Sequence, residues 1–320
     1  MKENKNEVVI FFTIDDNYAP YLAVALNSAI KNSSPCHSYR AIVLHEGVSE
    51  ENIKRIKALE EDNFRIEFIP MSRGLDAICD RMGNRLRCDY FTLTIYFRLF
   101  IAEMYPELDR AVYIDSDVVL LSDIADLYDT EIGDNLIGAC QDSSVVGVPE
   151  LCYYMEEGVG VARDKYINSG VLLMNLKEMR VCRFEEHFLN LLTSYSFDTI
   201  APDQDYLNAI CADRIYYLDG AWDTMPCESE PEREDARLIH YNLFSKPWCY
   251  DGVQYGGEFW HYAMDSGYFL ELIEFKKNYT DDKKEQDKKC LELLIKRGSE
   301  IPKGDVTFKK MREAGVKIRL

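Results

Sequence analysis

Long hydrophobic runs are missing from this sequence: the first apolar stretch, VVIFFTI at residues 8–14, is seven residues long and follows the polar start MKENKNE. A membrane span needs about 20 such residues, and a secretory signal needs a basic start before its apolar core. Neither fits, and the expectation is a cytosolic protein. Cationic charge is also scarce, with 37 Lys and Arg against 56 Asp and Glu and a formal net charge of −19. Such a field repels phosphate backbones, which excludes a general nucleic-acid binder and requires a local cation for any anionic substrate. The ten cysteines form no CxxC pair, and zinc-type His/Cys spacing is absent. Isolated thiols such as Cys36, Cys79, Cys140 and Cys211 are therefore expected to be mostly buried, neither bridged nor metal-bound. Internal repeats and low-complexity segments are lacking too. What remains is 320 residues, 47% hydrophobic and 29% charged, the mix of a globular protein of one large or two ordinary domains.

The charge is unevenly placed. Residues 276–320 carry 14 Lys and Arg against 8 Asp and Glu, a net of +6, which leaves −25 on the rest. The shift coincides with the polar stretch KKNYTDDKKEQDKK and predicts a compact domain over 1–275 followed by a basic tail over 276–320.

Within the compact part, short β-rich runs alternate with helical patterns, the signature of an α/β domain with a largely parallel sheet. A buried strand over 8–14 leads through a turn at 15–17 into a helix over 18–31, with Leu22, Ala25, Leu26, Ala29 and Ile30 on one face. A strand over 39–44 precedes a helix capped by Ser49, with Glu50 and Glu51 in its first turn and Ile53, Ile56 and Leu59 inward. A third strand covers 64–70, a helix 96–105, and a further buried strand 110–114.

That last strand ends at Asp115, Ser116 and Asp117, in AVYIDSDVVLLSDI. Acids directly after a buried strand are costly to desolvate unless something positive compensates them, and acids at i and i+2 project to one side. A divalent cation satisfies both and can neutralise a phosphate leaving group; the alternative is a turn whose Asp side chains cap backbone amides. Far along the chain, HYNLFSKPW places His240 at a strand end, where it could be a third metal ligand, and Lys246 as a point charge for phosphate. Imidazole beside carboxylates favours Mn²⁺ over Mg²⁺. In YINSGVLLMNL, Asn168, Ser169 and Gly170 read as a turn entering an apolar strand, with a hydrogen-bonding amide beside room for a ligand. In PDQDYLNAI, Asp203 could N-cap a helix carrying Gln204 and Asp205.

Together FFTIDDNYAPYL, YFRL, YIDSDVVLLSDI, YINSGVLLMNL with PDQDYLN, and HYNLFSKPW resemble, in that order, glycosyltransferase family 8 over roughly residues 8–250. The family comprises retaining, nucleotide-sugar-dependent enzymes that include lipopolysaccharide galactosyl- and glucosyltransferases and glycogenin. The resemblance implies a GT-A fold, a Rossmann-like nucleotide-sugar-binding α/β unit with UDP across the carboxyl edge of its sheet. It implies that Asp15 and Asn17 contact uracil and ribose, that Tyr18 stacks on the base, and that Arg98 reaches the donor. Ser116 joins the donor-binding set. Asp115, Asp117 and His240 then hold Mn²⁺, Lys246 neutralises the diphosphate, and Asn168, Asp203 and Gln204 hold the transferred sugar. Without the resemblance, Arg98 reads as a partner of surface acids. One position departs: the family usually has glycine three residues after the metal histidine, and here Leu243 stands there. Its amide can still donate if φ is negative and the side chain points away.

The implied activity is Mn²⁺-dependent transfer of glucose or galactose from a UDP-sugar to a saccharide or glycolipid acceptor. No isolated carboxylate offers itself as a nucleophile, which favours attack on the face the diphosphate leaves. Two other classes compete. One is a nucleotide-sugar-binding scaffold that has lost transfer, for which Leu243 alone speaks. The other is a nucleotidyltransferase, which would want a glycine-rich loop with lysine where DDNYAP stands. The tail, with Leu291, Leu293, Leu294 and Ile295 among Lys288, Lys289, Lys296 and Arg297, reads either as a contact with the anionic inner face of a membrane or as a clasp on the acidic body.

Overall fold

A computed structural model describes residues 7–71, 93–227 and 229–320; Cys79 lies outside them. The VVIFFTI run forms β1 (Glu7–Asp15), whose side chains alternate between two apolar clusters, Val9 and Phe11 on one face and Val8, Ile10, Phe12 and Ile14 on the other. A strand buried on both faces needs helices on both. β1 pairs in parallel with β2 (Ser38–Glu46), which pairs in parallel with β3 (Phe64–Pro70), and on its other side with β4 (Ala111–Ile114). β5 (Val118–Leu120) leaves this sheet, while β6 (Ile137–Gln141), β7 (Ile167–Met174) and β8 (Ile215–Tyr217) complete it in the order β3-β2-β1-β4-β7-β6-β8. β9 (Leu238–His240) pairs antiparallel with β5 as a separate ribbon.

The sheet is parallel except at β7, which runs against both β4 and β6. The chain leaves β6 and re-enters at the same edge without crossing over, so the strand it forms is reversed. This puts the start of β7 beside the ends of β1, β4 and β6.

α1 (Ala19–Lys31) covers one face. Its buried residues extend nearly all round, beyond the single stripe expected, because Asn27 Nδ2 donates to Tyr262 O and Tyr21 stacks on Trp248 at 4.4 Å from its outer side. Ser49 caps α2 (Glu50–Lys57) as expected, its hydroxyl accepting from Asn52 N at 3.3 Å; Ile56 is fully buried while Ile53 and Leu59 pack half-buried. The expected helix over 96–105 is instead a 3₁₀ segment, Leu93–Phe100, followed by one α turn, Ile101–Met104. Its aromatic and β-branched residues are poor α-formers, and Tyr96, Phe97 and Phe100 are spent on the core. α3 (Pro202–Cys211) covers the other face through Tyr206, Leu207 and Ile210.

After α4 (Gly256–Ala263), the basic segment forms α5 (Asp281–Glu300) and α6 (Phe308–Glu313). Leu294, Ile301, Phe308 and Ile318 join the same apolar cluster as Val9 and Phe11, whereas Leu291 and Leu293 stay exposed. Gly298 permits the approach: a Cβ there would stand 2.9 Å from Leu151 Cδ2 and 3.1 Å from Glu150 O. Polar ties follow, Lys309 Nζ to Glu157 at 2.7 Å, Arg319 to Asp213 at 2.7 Å, and Leu320 N to Ile210 O at 3.0 Å. No helix among the described residues is long and apolar enough to cross a membrane. Of the eight described cysteines, Cys140, Cys152, Cys211 and Cys249 are buried, Cys182 and Cys290 half-buried, and Cys36 and Cys227 exposed, so burial holds for half of them rather than for most.

Candidate active site

The parallel strands β1, β4 and β6 each end at an acid, Asp15, Asp115 and Asp142, and β7 begins among them with Asn168 and Ser169. Asn168, Ser169 and Gly170 thus lie inside the strand rather than in a turn before it. A cavity at this edge is lined by Asp15, Tyr18, Arg98, Asp115, Ser116, Asp117, Asn168, Asp203, Gln204, His240 and Lys246. Of the residues to which the family resemblance assigns a role, Asn17 alone is not in its lining; it is exposed, its backbone N–H donating to Asp15 Oδ1 at 2.9 Å.

His240 reaches the acids through the ribbon, where it pairs with Val118, and Tyr241 N donates to Asp117 O at 2.9 Å. Its Nε2 lies 3.3 Å from Asp117 Oδ1 and 4.0 Å from Asp115 Oδ2, and its Nδ1 lies 2.9 Å from Asp223 Oδ1. Gly170 makes the space: a Cβ there would stand 2.3 Å from His240 Cε1 and 2.8 Å from Asp115 Oδ2. Lys246 Nζ bonds Asp117 Oδ2. Burial opposes the charge on His240, yet the Asp117 and Asp223 carboxylates raise its pKa to about 10. Burial likewise opposes ionisation of Asp117, and Lys246 and His240 overcome it, holding the carboxyl well below the usual range. Two carboxylates and an imidazole whose ligand atoms all lie within 4.8 Å of one another fit a divalent cation, and theirs is the one such group among the described residues.

Arg98 does not pair with surface acids. It is buried, with Nη2 donating to Asp115 Oδ1 at 2.9 Å, Nη1 to Ser169 O, and Nε 3.2 Å from Asp203 Oδ2. Tyr113, with its hydroxyl 2.7 Å from Asp115 Oδ1, lies under the guanidinium at 4.2 Å. One cation thus ties the ends of β4, β7 and α3 together.

At the α3 end of the cavity, Asp142 Oδ2 accepts from Gln204 Nε2 at 2.9 Å and Asn168 Nδ2 at 3.2 Å, fixing both amides. Gln204 Oε1 in turn accepts from Ser169 N at 3.0 Å. Asp203 does not cap α3. The cap position is Ala201, and Asp203 Oδ2 instead accepts from Ser169 Oγ at 2.9 Å. No side chain caps α3; Asp205 Oδ2 ties down the residues before it, accepting from Ala201 N at 3.0 Å and Ile200 N at 3.2 Å. Asp142 was within reach of sequence reasoning, since it follows a buried strand as Asp115 does. Tyr113 and Asp223 carry no comparable signal.

Leu243 takes φ 55°, so the condition of a negative φ is not met, and its amide donates to Asn242 Oδ1 at 2.8 Å. The backbone adopts the left-handed form that a glycine would take without strain, at a cost of about 1–2 kcal/mol for a leucine.

The sequence pattern of glycosyl transferase family 8 matches residues 9–252. A putative glycosyltransferase of Haemophilus influenzae is 27% identical over 222 residues, 69% of this chain and 64% of that protein, so the chain spans just under two thirds of that relative. The lipopolysaccharide 1,2-glucosyltransferase of Escherichia coli K12 is 23% identical over 84% of this chain and 83% of its own length. Among solved structures, the galactosyltransferase LgtC in complex with donor and acceptor sugar analogues superposes with a TM-score of 0.68 at 28% identity, covering 80% of this chain and 95% of that one. Its likeness places the α/β architecture among GT-A glycosyltransferases.

Proposed function

The chain belongs to glycosyl transferase family 8, and on that premise we propose that it is a retaining glycosyltransferase. It moves glucose or galactose from a UDP-sugar to a hydroxyl of a saccharide or glycolipid acceptor, in bacterial surface-glycan or lipopolysaccharide synthesis. The observation that carries this is the convergence of Asp115, Asp117, His240 and Lys246 beside Asn168, Asp203 and Gln204 at one sheet edge. A scaffold without transfer has no use for that set.

In this reading Asp15, Asn17 and Tyr18 hold uridine, while Arg98 and Ser116 shape the floor under the donor. Asp115, Asp117 and His240 hold Mn²⁺, with Mg²⁺ as the second choice. When bound, the ion offsets the negative charge that builds on the departing diphosphate. Lys246 adds a second positive charge there, where burial strengthens it. Asn168, Asp203 and Gln204 orient the sugar hydroxyls. Asp142 and Asp203 are engaged by amide, hydroxyl and guanidinium donors, so neither is poised as a nucleophile. Acceptor attack therefore comes from the face the diphosphate leaves: the bond from C1 to phosphate oxygen breaks, the acceptor oxygen bonds C1, and the acceptor proton passes to the leaving oxygen. Proton NMR of the first product should show the α anomer, and chelation should stop its formation; a β anomer overturns the assignment.

Residues 1–275 form the catalytic unit of this cytoplasmic enzyme and the basic segment 276–320 its clasp; the burial of Leu294, Phe308 and Ile318 supports the clasp. Truncation at Lys276 should lower the melting temperature. A truncated chain of unchanged stability that loses co-sedimentation with anionic vesicles makes the segment a peripheral membrane contact instead.

A further inference from the structure

Asp223 belongs to none of the sequence features that point to the site. It closes the 3₁₀ turn Gly220–Asp223, its side chain fully buried, seventeen positions before His240. Backbone pairing sets the two side by side: Thr224 N donates to Leu238 O at 2.9 Å and His240 N to Thr224 O at 2.8 Å, so the residue after Asp223 is zipped onto β9. In that register Asp223 Oδ1 lies 2.9 Å from His240 Nδ1. The other carboxylate oxygen, Oδ2, is buried with no hydrogen-bond partner among the described residues. An orphaned buried oxygen costs stability, and a neutral or apolar residue would avoid that cost, so the acid's presence asks for a use at its other end.

We propose that Asp223 is a positioning residue for the cation site, fixing His240 as the tautomer with hydrogen on Nδ1 and Nε2 turned to Asp115 and Asp117. The inference rests on the reading of those three residues as metal ligands. A histidine that binds a metal through one nitrogen needs the other to donate, and a buried carboxylate both orients the ring and makes it a stronger ligand. Among the described residues nothing else can do this: beyond Asp223, the ring's hydrogen-bond and ion-pair partners are the two ligand acids themselves.

The test measures Mn²⁺ binding to the full chain by calorimetry without donor, in wild type, Asp223→Asn, Asp223→Glu and Asp117→Asn. Asp223→Asn should weaken Mn²⁺ by about 10- to 100-fold, and Asp223→Glu should recover part of that loss. An Asp223→Asn protein that binds Mn²⁺ like wild type, while Asp117→Asn does not, overturns the role of Asp223 and leaves the metal reading standing. If Asp117→Asn also binds like wild type, the metal reading itself falls and this inference with it. Should the Asp223 variants fail to fold, ¹⁵N-histidine NMR of Cd²⁺-loaded wild type decides alone, since the chain has only five histidines. His240 should carry its proton on Nδ1; a proton on Nε2 overturns the proposal.

Discussion

Asp117 and Asp205 are both carboxylates with little or no access to solvent, and their valences are filled in opposite ways. Asp205 takes four neutral donors: Tyr166 OH at 2.6 Å on Oδ1, and Tyr154 OH at 2.6 Å, Ala201 N at 3.0 Å and Ile200 N at 3.2 Å on Oδ2. Asp117 takes two cationic ones, Lys246 Nζ and His240 Nε2. Burial pushes the Asp205 pKa up to about 6 against its hydrogen bonds, whereas Asp117 is held far below the usual range. Neutral donors built into the chain close a carboxylate permanently and lock the loop entering α3. Cationic side-chain heads, unlike backbone amides, can give way to another cation. Arg297 secures the closed cluster further by donating to Thr199 O at 2.9 Å, so the basic segment reinforces the fold side of this contrast.

The largest effect expected from breaking the contrast lies at the exchangeable end. Asp117→Asn should cut sugar transfer by about 10³-fold, the several kcal/mol that leaving-group neutralisation supplies; full transfer by this variant in chelator would erase the distinction. At the closed end, Asp205→Ala should lower the unfolding free energy by about 4 kcal/mol in urea titration, since it orphans buried donors. Wild-type stability in that variant would mean the four hydrogen bonds hold nothing. The third and smallest effect is a pH dependence. The Asp205 pKa is raised on folding from an ordinary 3.8 to about 6, so the folded chain binds more protons between those values. Its contribution is complete below about pH 4 and is lost as pH rises through 6, a total of about 3 kcal/mol at 1.36 kcal/mol per unit. Asp205→Asn should lack that decline when unfolding free energies are compared from pH 4 to 7; parallel curves would show that the carboxyl does not titrate in this window.

How much of this was readable depended on how local the cause was. β1, α1, β2, the Ser49 cap and β3 follow from periodicity and capping within a few residues, and they stand within about two positions of where the sequence puts them. Asp115 and Asp117 were legible because an acid after a buried strand is anomalous on its face. The misassigned cap at Asp203 had a local remedy, since Pro202 occupies the first helical position and the cap must precede it. The direction of β7 had none, because an apolar run looks the same whichever way it is threaded. Asp223 was invisible for the same reason: its partner is reached through a backbone pairing with β9. At Leu243 the residue type argued for one backbone and the surrounding turn imposed the other.

The reversed strand also sets an order of events while the chain is being made. β4 can pair with β1 as soon as both exist, but its other neighbour ends about sixty residues later, at Met174. At about 5–20 residues per second, β4 waits ~3–12 s with one edge open. Its brevity, four residues, limits what that edge can capture. Until Ser169 emerges, Arg98 lacks the carbonyl that helps to hold it beside Asp115. A nascent chain arrested between β6 and β7 would already own Asp15 and Tyr18 and have no cleft to put them in.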